Sequence, residues 1–400
     1  MRAHASHNKL TCQYKIMEVL TYITQQEQYI MDDKINGKPV VIDMGSAITK
    51  IGFVGEKTPR AMIPTVIGKP KSGANQTTVY VGEEAITKRE SLNLSYPMSL
   101  GLVTKWDDFE KFIHHAFNDI LKISLENHPT LLTEPPLNPK ANREKMTQVM
   151  FETFNCPAFY TSSNAVLSLY ATGRTTGFVL DVGDSVICAA PIYEGYVLPH
   201  ATLKLNTGGR HLTETLAERL SKSSLDSIAL NERISVARYV KEKLSCAALT
   251  ADRVAQTGVG LFEKTYSLPD HEDILVAKDF HCAEALFRPS LAGEGSGGIQ
   301  NLIHQSITKC DADIQKDLWS NIVLSGGSAA LEKLGNRLQT ELSALVPTTT
   351  EVKVTAPIEC PYLSWLGGSV LTDNPTFQEM WITRHEYDES GPSIVHRKCF

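Results

Sequence analysis

The chain has 400 residues, which predicts two or three core-forming units at the ~150 residues of an average domain. Hydrophobic residues make up 42% and charged residues 21% of the sequence, which excludes disordered, collagen-like and coiled-coil proteins. The net charge of −6 gives no general positive field that would attract nucleic acid or anionic lipid, so we expect no direct nucleic-acid binding. We also expect no membrane insertion, because the sequence lacks an apolar run long enough to span a bilayer.

The cysteines and the hydropathy pattern point to a compartment. Eight cysteines are scattered along the chain without a C-x-x-C pair, which argues against a disulfide framework and a zinc ribbon. No apolar run approaches the ~20 residues of a transmembrane helix. We therefore expect a reducing compartment, the cytosol or the nucleus.

Residues 1–36 differ from the rest of the chain, because they are rich in Gln, Tyr and His and lack turn residues. Apolar residues from Ile16 to Ile30 follow a loose helical stripe that Glu27 interrupts. Two interpretations stay open, a flexible extension and a helix that docks onto a partner.

The first strong motif follows Gly37. Two β-rich runs, within residues 39–46 and 47–55, flank the turn Asp43-x-Gly45-Ser46, a pattern that predicts a strand, a tight turn and a returning strand. A single Asp-x-Gly turn is weak evidence for function, because Asp and Gly are favoured in any tight turn.

A second copy of this motif changes that assessment. Residues 178–190 repeat the pattern around Asp181, Gly183, Asp184 and Ser185, 138 residues after the first copy. This spacing is too long for a solenoid repeat, and it predicts two related α/β halves that face one another.

Further elements follow the two hairpins. Apolar spacing predicts helices over residues 141–154 and 164–171. A third turn, Gly326-Gly327, follows a strand at 321–325 and leads into a helix predicted for about 329–345.

These turns together predict a polyphosphate site. Glycine lets the backbone approach a phosphate, and successive amide N–H groups in such a turn form a concave anion site. An Asp at each strand end, Asp43 and Asp181, can hold a water of a hydrated Mg²⁺ ion. The Gly326-Gly327 turn adds a helix N-terminus, which favours an anion or a sugar edge.

Lys241 is the remaining candidate from the residue pattern. It lies on the apolar face of a helix predicted for residues 230–248. Two interpretations stay open: the side chain extends along the helix to solvent, or it contacts a nucleotide together with Glu242.

Four segments show that the chain resembles the actin family. They are LLTEPPLNPKANREKMTQ at 131–148, PIYEGY at 191–196, VLSGG at 323–327 and EYDESGPSIVHRKCF at 386–400. The resemblance runs from about residue 40 to residue 400. It implies an α/β, actin-like ATPase fold, in which two related lobes surround a nucleotide cleft and each lobe is divided into two subdomains.

The resemblance also implies domain boundaries. Residues 1–36 would be an N-terminal extension, and residues 37–171 the first lobe with a small subdomain at about 65–96. The second lobe would span 172–361 with a small subdomain at about 208–294, and residues 362–400 would return to the first lobe.

Site residues carry over from the family position by position. ATP or ADP and Mg²⁺ are the implied cofactors, with Asp43 and Asp181 holding the ion through waters and serving as catalytic residues together with Asn164. The implied nucleotide-binding residues are Gly45, Ser46, Ala47, Lys50, Gly183, Asp184, Gly209, Arg210, Lys241, Glu242, Gly326 and Gly327.

Two departures from the family lie at the hydrolytic centre. Asn164 replaces a glutamine that orients the attacking water, and its side chain is one methylene shorter. Cys188 replaces a histidine and cannot provide the hydrogen bonds of an imidazole. Because a misplacement of about 1 Å can cost on the order of 10²-fold in rate, we expect Mg-ATP binding with slow hydrolysis.

Three other departures lie around the nucleotide. Ala47 replaces a glycine, and we expect strain if its φ is positive. Leu100 stands where actins usually carry a histidine that is often methylated. Cys360 and Pro361 replace a basic pair near the adenine, which removes a cationic contact and a backbone donor and predicts a lower nucleotide affinity.

Two segments that form filament contacts in actin also differ in this chain. Residues 71–79 form a loop five residues shorter than the corresponding actin loop, and Glu294 puts a charge into a segment that actin keeps apolar.

Three alternative functions stay open: a filament subunit, a subunit that copolymerises with actin or caps it, and a structural subunit of a larger complex that uses ATP for stability without turnover. A small-molecule kinase on the same fold is disfavoured, because fold alone does not confer function and the chain retains the motifs and the tail of actin. The implied partners are the chain itself, conventional actin and actin-binding proteins, in the cytoplasm and its cytoskeleton.

Overall fold

The computed structural model describes residues 37–71, 78–221, 230–244, 247, 264–266, 274–276, 283–292 and 297–399. The predictions for residues 1–36, for positions 72–77 of the shortened loop and for Glu294 lie outside these ranges.

The strands are numbered in chain order. They are β1 Val40–Met44, β2 Ile48–Phe53, β3 Ala61–Pro64, β4 Ile67–Pro70, β5 Tyr80–Val81, β6 Leu92–Ser95, β7 Met98–Ser99, β8 Leu102–Val103, β9 Thr130–Glu134, β10 Ala158–Ser163, β11 Gly177–Val182, β12 Ile187–Tyr193, β13 Tyr196–Val197, β14 Leu203–Leu205, β15 Lys264–Tyr266, β16 Ile274–Val276, β17 Ile322–Ser325, β18 Val354–Thr355 and β19 Ile382–Thr383.

The α-helices are numbered in the same way. They are α1 Glu83–Thr87, α2 Trp106–His115, α3 Lys140–Gln148, α4 Asn164–Tyr170, α5 Gly209–Ser221, α6 Leu230–Leu244, α7 Glu284–Phe287, α8 Ile299–Thr308, α9 Ala312–Trp319, α10 Leu334–Leu345, α11 Leu363–Asp373, α12 Arg384–Ser390 and α13 Val395–Lys398. A π-helical segment, Val149–Thr153, continues α3 over the predicted range.

The first large sheet has the strand order β19-β10-β9-β1-β2-β3. Strands β1, β9 and β10 are parallel, whereas β1, β2 and β3 form antiparallel pairs. Every residue of β1, β9 and β10 is buried, as expected for parallel strands that are covered on both faces.

The second large sheet repeats this arrangement. Its order is β13-β12-β11-β17-β18, with β14 paired to β12. The hairpin of β11 and β12 is antiparallel, and β11, β17 and β18 are parallel. Each sheet therefore combines one Asp-Gly hairpin with parallel neighbours, as the repeated motif predicts.

Helices α4 and α11 pack against each other and connect the two large sheets. Helix α4 contacts β11, and α11 contacts β1. A Cβ added at Gly367 of α11 would lie 1.8 Å from the backbone oxygen of Leu167 in α4, so only glycine permits this contact between the helix backbones.

The chain returns to the first sheet at its C-terminus. Strand β19 pairs with β10, and Arg143 of α3 donates a 3.0 Å hydrogen bond to the Cys399 carbonyl. Among the described residues, none of the helices combines the length and apolar character needed to cross a bilayer.

Candidate nucleotide site

The parallel strands of both sheets end at one cavity of about 540 Å³. In the first sheet, β1 carries Asp43 near its carboxyl end, β9 ends at Glu134, and β10 is followed at once by Asn164. In the second sheet, β11 carries Asp181, and β17 is followed by Gly326. Open α/β sheets bind ligands outside the carboxyl ends of their strands, and the volume is typical of a small-molecule site.

Most of the residues that the resemblance implies face this cavity. Those that line it are Asp43, Gly45, Ser46, Ala47, Lys50, Asn164, Asp181, Gly183, Asp184, Lys241, Glu242, Gly326 and Gly327. Gly209 and Arg210 do not line it but support its wall. The Gly209 amide donates to the Gly183 carbonyl at 2.9 Å, and the Arg210 guanidinium lies 3.1 Å from the Asp184 carboxylate.

The two hairpin turns share the same glycine requirement. A Cβ at Gly45 would lie 2.7 Å from the Ile48 carbonyl oxygen, and one at Gly183 would lie 2.9 Å from the Val186 carbonyl oxygen. Both distances are below any ordinary Cβ contact. The two predicted turns are confirmed, and their glycines keep the backbone open toward the cavity.

The turns contact each other directly across the cavity. Ser185 Oγ donates to Ser46 Oγ at 2.8 Å, and the Gly101 amide donates to the same Ser46 oxygen at 3.2 Å. The strain expected at Ala47 is absent, because its φ is not positive. Leu100 has a positive φ of 50° instead, and it lines the cavity beside Gly101.

Asp43 is held by two donors. Lys50 lies opposite it in the β1–β2 register and approaches its carboxylate at 3.1 Å. Thr133 Oγ1 donates to the other carboxylate oxygen at 2.8 Å. Thr133 is a site residue that the sequence motifs did not indicate; its place at the carboxyl end of a strand parallel to β1 is the signal that identifies it.

Asp181 has a perturbed acidity. Burial, followed by the negative charge of Asp43, raises the pKa of the Asp181 carboxyl to about 6, against the opposing effects of the Lys50 charge and a hydrogen bond from Asn164. The Asn164 amide donates this bond to Asp181 Oδ2 at 3.3 Å. Two carboxylates at one cavity repel each other, and a bound cation would relieve that repulsion.

Cys188 faces the same region. It lies opposite Asp181 in the β11–β12 register, lines the cavity and is buried. Burial raises the pKa of its thiol to about 12, so the group stays protonated at neutral pH. It therefore offers neither an anion nor an imidazole at this position.

The Gly326-Gly327 turn differs from its prediction in one respect. These glycines lead into a 3-10 turn at Gly327–Ala330, and the long helix α10 begins only at Leu334. The left-handed Lys333, with a φ of 64°, separates the two segments. The site thus has a short turn rather than the N-terminus of a long helix.

Lys241 does not extend to solvent. Its side chain is 5% exposed, and its Nζ donates to the Gly209 carbonyl at 2.8 Å. The neighbouring Glu242 is exposed and lines the cavity. Lys241 therefore joins helix α6 to the wall behind the second hairpin turn.

The donor set fits a polyphosphate with a hydrated divalent cation. The turns at Gly45 and Gly183 lie at the same cavity as the carboxylates of Asp43 and Asp181. Asn164 Oδ1 is a buried acceptor without a hydrogen-bond partner in the described part of the chain. Such an orphaned acceptor costs free energy unless a ligand or water satisfies it.

Comparison with known families agrees with this geometry. The sequence model of the actin family matches residues 35–400, which is most of the chain and includes every residue of the cavity. Residues 1–34 precede the match as an N-terminal extension. The chain belongs to the actin family.

Proposed function

We propose that the protein is an ATP-binding, actin-like cytoskeletal subunit that forms filaments, copolymerises with actin or caps it, and hydrolyses ATP slowly. The observation that carries the proposal is the convergence of two glycine turns and two carboxylates, Asp43 and Asp181, on one cavity. Actin-family proteins generally bind a nucleotide with a divalent cation.

The chain's own groups have separate tasks in this proposal. Asp43 and Asp181 would hold a hydrated Mg²⁺ ion through its waters, as suits a cation that keeps most of its hydration shell. The bound ion would neutralise phosphate charge. The backbone amides of the turns at Gly45 and Gly183 would hold phosphate oxygens, and Lys50 would balance the remaining charge from its place beside Asp43.

Asn164 is the residue on which hydrolysis depends. Its amide nitrogen is engaged with Asp181, and its free Oδ1 would accept a hydrogen bond from a water molecule. A side chain one methylene longer would carry that acceptor farther from Asp181 and into the cavity. The short side chain keeps Asn164 Oδ1 close to Asp181, and Cys188 stays protonated. Asn164 and Cys188 would therefore orient an attacking water poorly, which supports slow turnover.

Membership of the actin family suggests self-association or actin-binding partners. We place the protein in the cytoplasm with the cytoskeleton, with itself, conventional actin and actin-binding proteins as partners. The two lobes, at residues 37–171 and 172–361, would close around the cavity, each with a small subdomain, and residues 362–400 would complete the first lobe.

The alternative is a structural subunit of a larger complex that keeps ATP bound without turnover. The same two residues, Asn164 and Cys188, favour it, because both substitutions affect hydrolysis more than binding. The two functions differ in whether the purified protein enters filaments.

Polymerisation in Mg-ATP distinguishes them. Purified protein is incubated alone and with conventional actin, pelleted by centrifugation, and assayed for released phosphate in parallel. Sedimentation alone, or co-sedimentation with actin, with phosphate release well below the actin rate supports the proposal. Release at the actin rate contradicts slow hydrolysis, and a protein that binds ATP yet stays in the supernatant in both arms favours the structural role.

A further inference from the structure

Arg210 joins the second hairpin turn to the small sheet of β4, β5 and β6. Its amide donates to the Asp184 carbonyl at 2.8 Å, and its guanidinium lies 3.1 Å from the Asp184 carboxylate. The same guanidinium lies over the ring of Tyr96, with its Cζ 5.2 Å from the ring centroid. A cation within about 6 Å of a ring centroid is attracted by the face of the ring. Tyr96, which follows β6, therefore contacts the residue that holds the second turn.

The ring of Tyr96 is held from the side of the first large sheet. The small sheet begins with β4, which follows β3 of the large sheet along the chain. Ser95 Oγ donates to the Asp108 carboxylate of α2 at 2.6 Å, and the Pro97 carbonyl accepts from the Thr104 amide at 3.0 Å. Both neighbours of Tyr96 are thus anchored. Its ring contact consequently connects segments attached to the two large sheets.

This contact lies outside the cavity, unlike the hydrogen bond between the two turns. Ser46 and Ser185 both line the cavity, so phosphate oxygens bound there would compete with the bond between their hydroxyl groups. Neither Arg210 nor Tyr96 lines it. A bound nucleotide would therefore replace the serine contact and leave the ring contact intact. Because the two turns touch each other, a nucleotide held between them leaves when they separate, and that separation breaks the ring contact.

We propose that Tyr96 is a positioning residue that slows nucleotide release, because its ring holds Arg210, and with it the turn at Asp184, across the cavity. The inference rests on the proposed nucleotide site and adds a residue that controls its rate of exchange. Tyr96 is 38% exposed and the Arg210 side chain 40% exposed. Loss of a cation–π contact at such an exposed position corresponds to about 2- to 5-fold in a rate constant.

Release of a labelled nucleotide tests the proposal. A ribose-labelled fluorescent ATP is bound to the purified full-length protein with Mg²⁺ and chased with excess unlabelled ATP in a stopped-flow instrument. Tyr96→Leu should raise the dissociation rate constant by about 2- to 5-fold. Tyr96→Phe, which keeps the ring and removes the hydroxyl, should release the label at the wild-type rate. Equal rates for the two variants overturn the role of the ring.

Tyr80→Leu is the matched control, because Tyr80 lies in β5 of the same small sheet and its ring also faces a cation. Lys88 Nζ lies 4.2 Å from the centroid of that ring, and Lys88 directly follows α1, so this contact stays on one side of the cavity. The release rate of Tyr80→Leu should equal that of the wild type. Acceleration equal to that of Tyr96→Leu would assign the effect to a weakened small sheet and overturn the proposal.

A double-mutant cycle tests the link through Arg210. In an Arg210→Met background, Tyr96→Leu should cause no further acceleration, because the cation is already absent. An equal acceleration in both backgrounds overturns the link. If the label binds and Tyr96→Leu leaves its release rate unchanged, only this inference fails. If the label does not bind and ATP does not stabilise the protein against thermal unfolding, the proposed function fails together with it.

Discussion

Asn164 is bonded to Asp181 through its amide nitrogen and not through its amide oxygen. The Asn164 nitrogen donates to Asp181 Oδ2 at 3.3 Å, and its carbonyl oxygen is buried without a partner in the described chain. The group that would orient water is therefore fixed by the length of the asparagine side chain. A glutamine at this position would keep the amide chemistry and move the oxygen outward.

Asn164→Gln should accelerate phosphate release from bound ATP by about 10- to 100-fold, because a correction of about 1 Å in the water-orienting group is worth up to that factor. Phosphate release per bound nucleotide is measured in single turnover, so that a change in affinity does not contribute. Asn336→Gln, an exposed position on helix α10, is the control and should leave the rate unchanged. Equal rates for Asn164→Gln and the wild type would show that the acceptor position does not limit hydrolysis.

Asp181 makes the ligand-free protein less stable as the pH rises. Its pKa is raised to about 6 in the folded state by burial and by Asp43, whereas the ordinary value is 3.8. The unfolded chain therefore loses this proton first, and the free energy of unfolding falls as the pH rises from about 4 to about 6.

Asp181→Asn should remove this loss. We expect the free energy of unfolding of the variant, relative to that of the wild type, to be about 2 kcal/mol higher at pH 8 than at pH 4, since each pKa unit corresponds to 1.36 kcal/mol. Urea unfolding of nucleotide-free protein in a chelator measures the difference. The idea is rejected when the wild-type and variant stabilities run parallel across this pH range.

Much of the site could be predicted from local sequence. The hairpin at Asp43 and Gly45 follows from β-rich runs around a turn, and its repetition at Asp181 and Gly183 identifies the facing half. These features depend on residues that are close in the chain, where backbone geometry restricts which side chains fit.

The contacts between distant segments could not be predicted. The Ser46–Ser185 hydrogen bond and the Lys241 bond to Gly209 depend on how whole sheets and helices pack. The positive φ of 50° at Leu100 could not be predicted either, because a leucine rarely adopts this conformation. Sequence spacing identifies an unusual turn but not the conformation of each residue in it.

Gly326 and Gly327 are adjacent glycines with opposite tolerances. Gly326 has a φ of 93°, and a Cβ there would lie 2.5 Å from the Val182 carbonyl oxygen. A Cβ at Gly327 would meet nothing within 4 Å. The first glycine is required by the backbone, whereas the second leaves open space on the cavity side.

Gly326→Ala should therefore lower the free energy of unfolding of the ligand-free protein by about 2–4 kcal/mol, from backbone strain and the close contact together. Gly327→Ala should unfold at the wild-type denaturant concentration. Denaturant unfolding without nucleotide compares the two. Similar losses in both variants would contradict the asymmetry, because the two substitutions add the same methyl group.

Asp108 ties the small sheet of β4, β5 and β6 to helix α2. Lys69 of β4 lies 2.9 Å from its Oδ1, and Ser95 of β6 donates to its Oδ2 at 2.6 Å. Burial alone would raise the pKa of Asp108, but the hydrogen bonds from Ser95 and Lys69 and the lysine charge lower it below its ordinary value.

Asp108→Asn should lower the free energy of unfolding by about 1–3 kcal/mol at pH 7, because two hydrogen bonds to a buried charge are weakened. A lowered carboxyl pKa stabilises the fold above the ordinary value of 3.8, and this contribution disappears as the pH falls through the folded-state pKa, so the two proteins should converge in acid. Asp107→Asn is the matched control, since Asp107 lies in the same first turn of α2 but is exposed. Equal destabilisation by the two substitutions would assign the effect to the helix dipole rather than to the contacts of Asp108 with the small sheet.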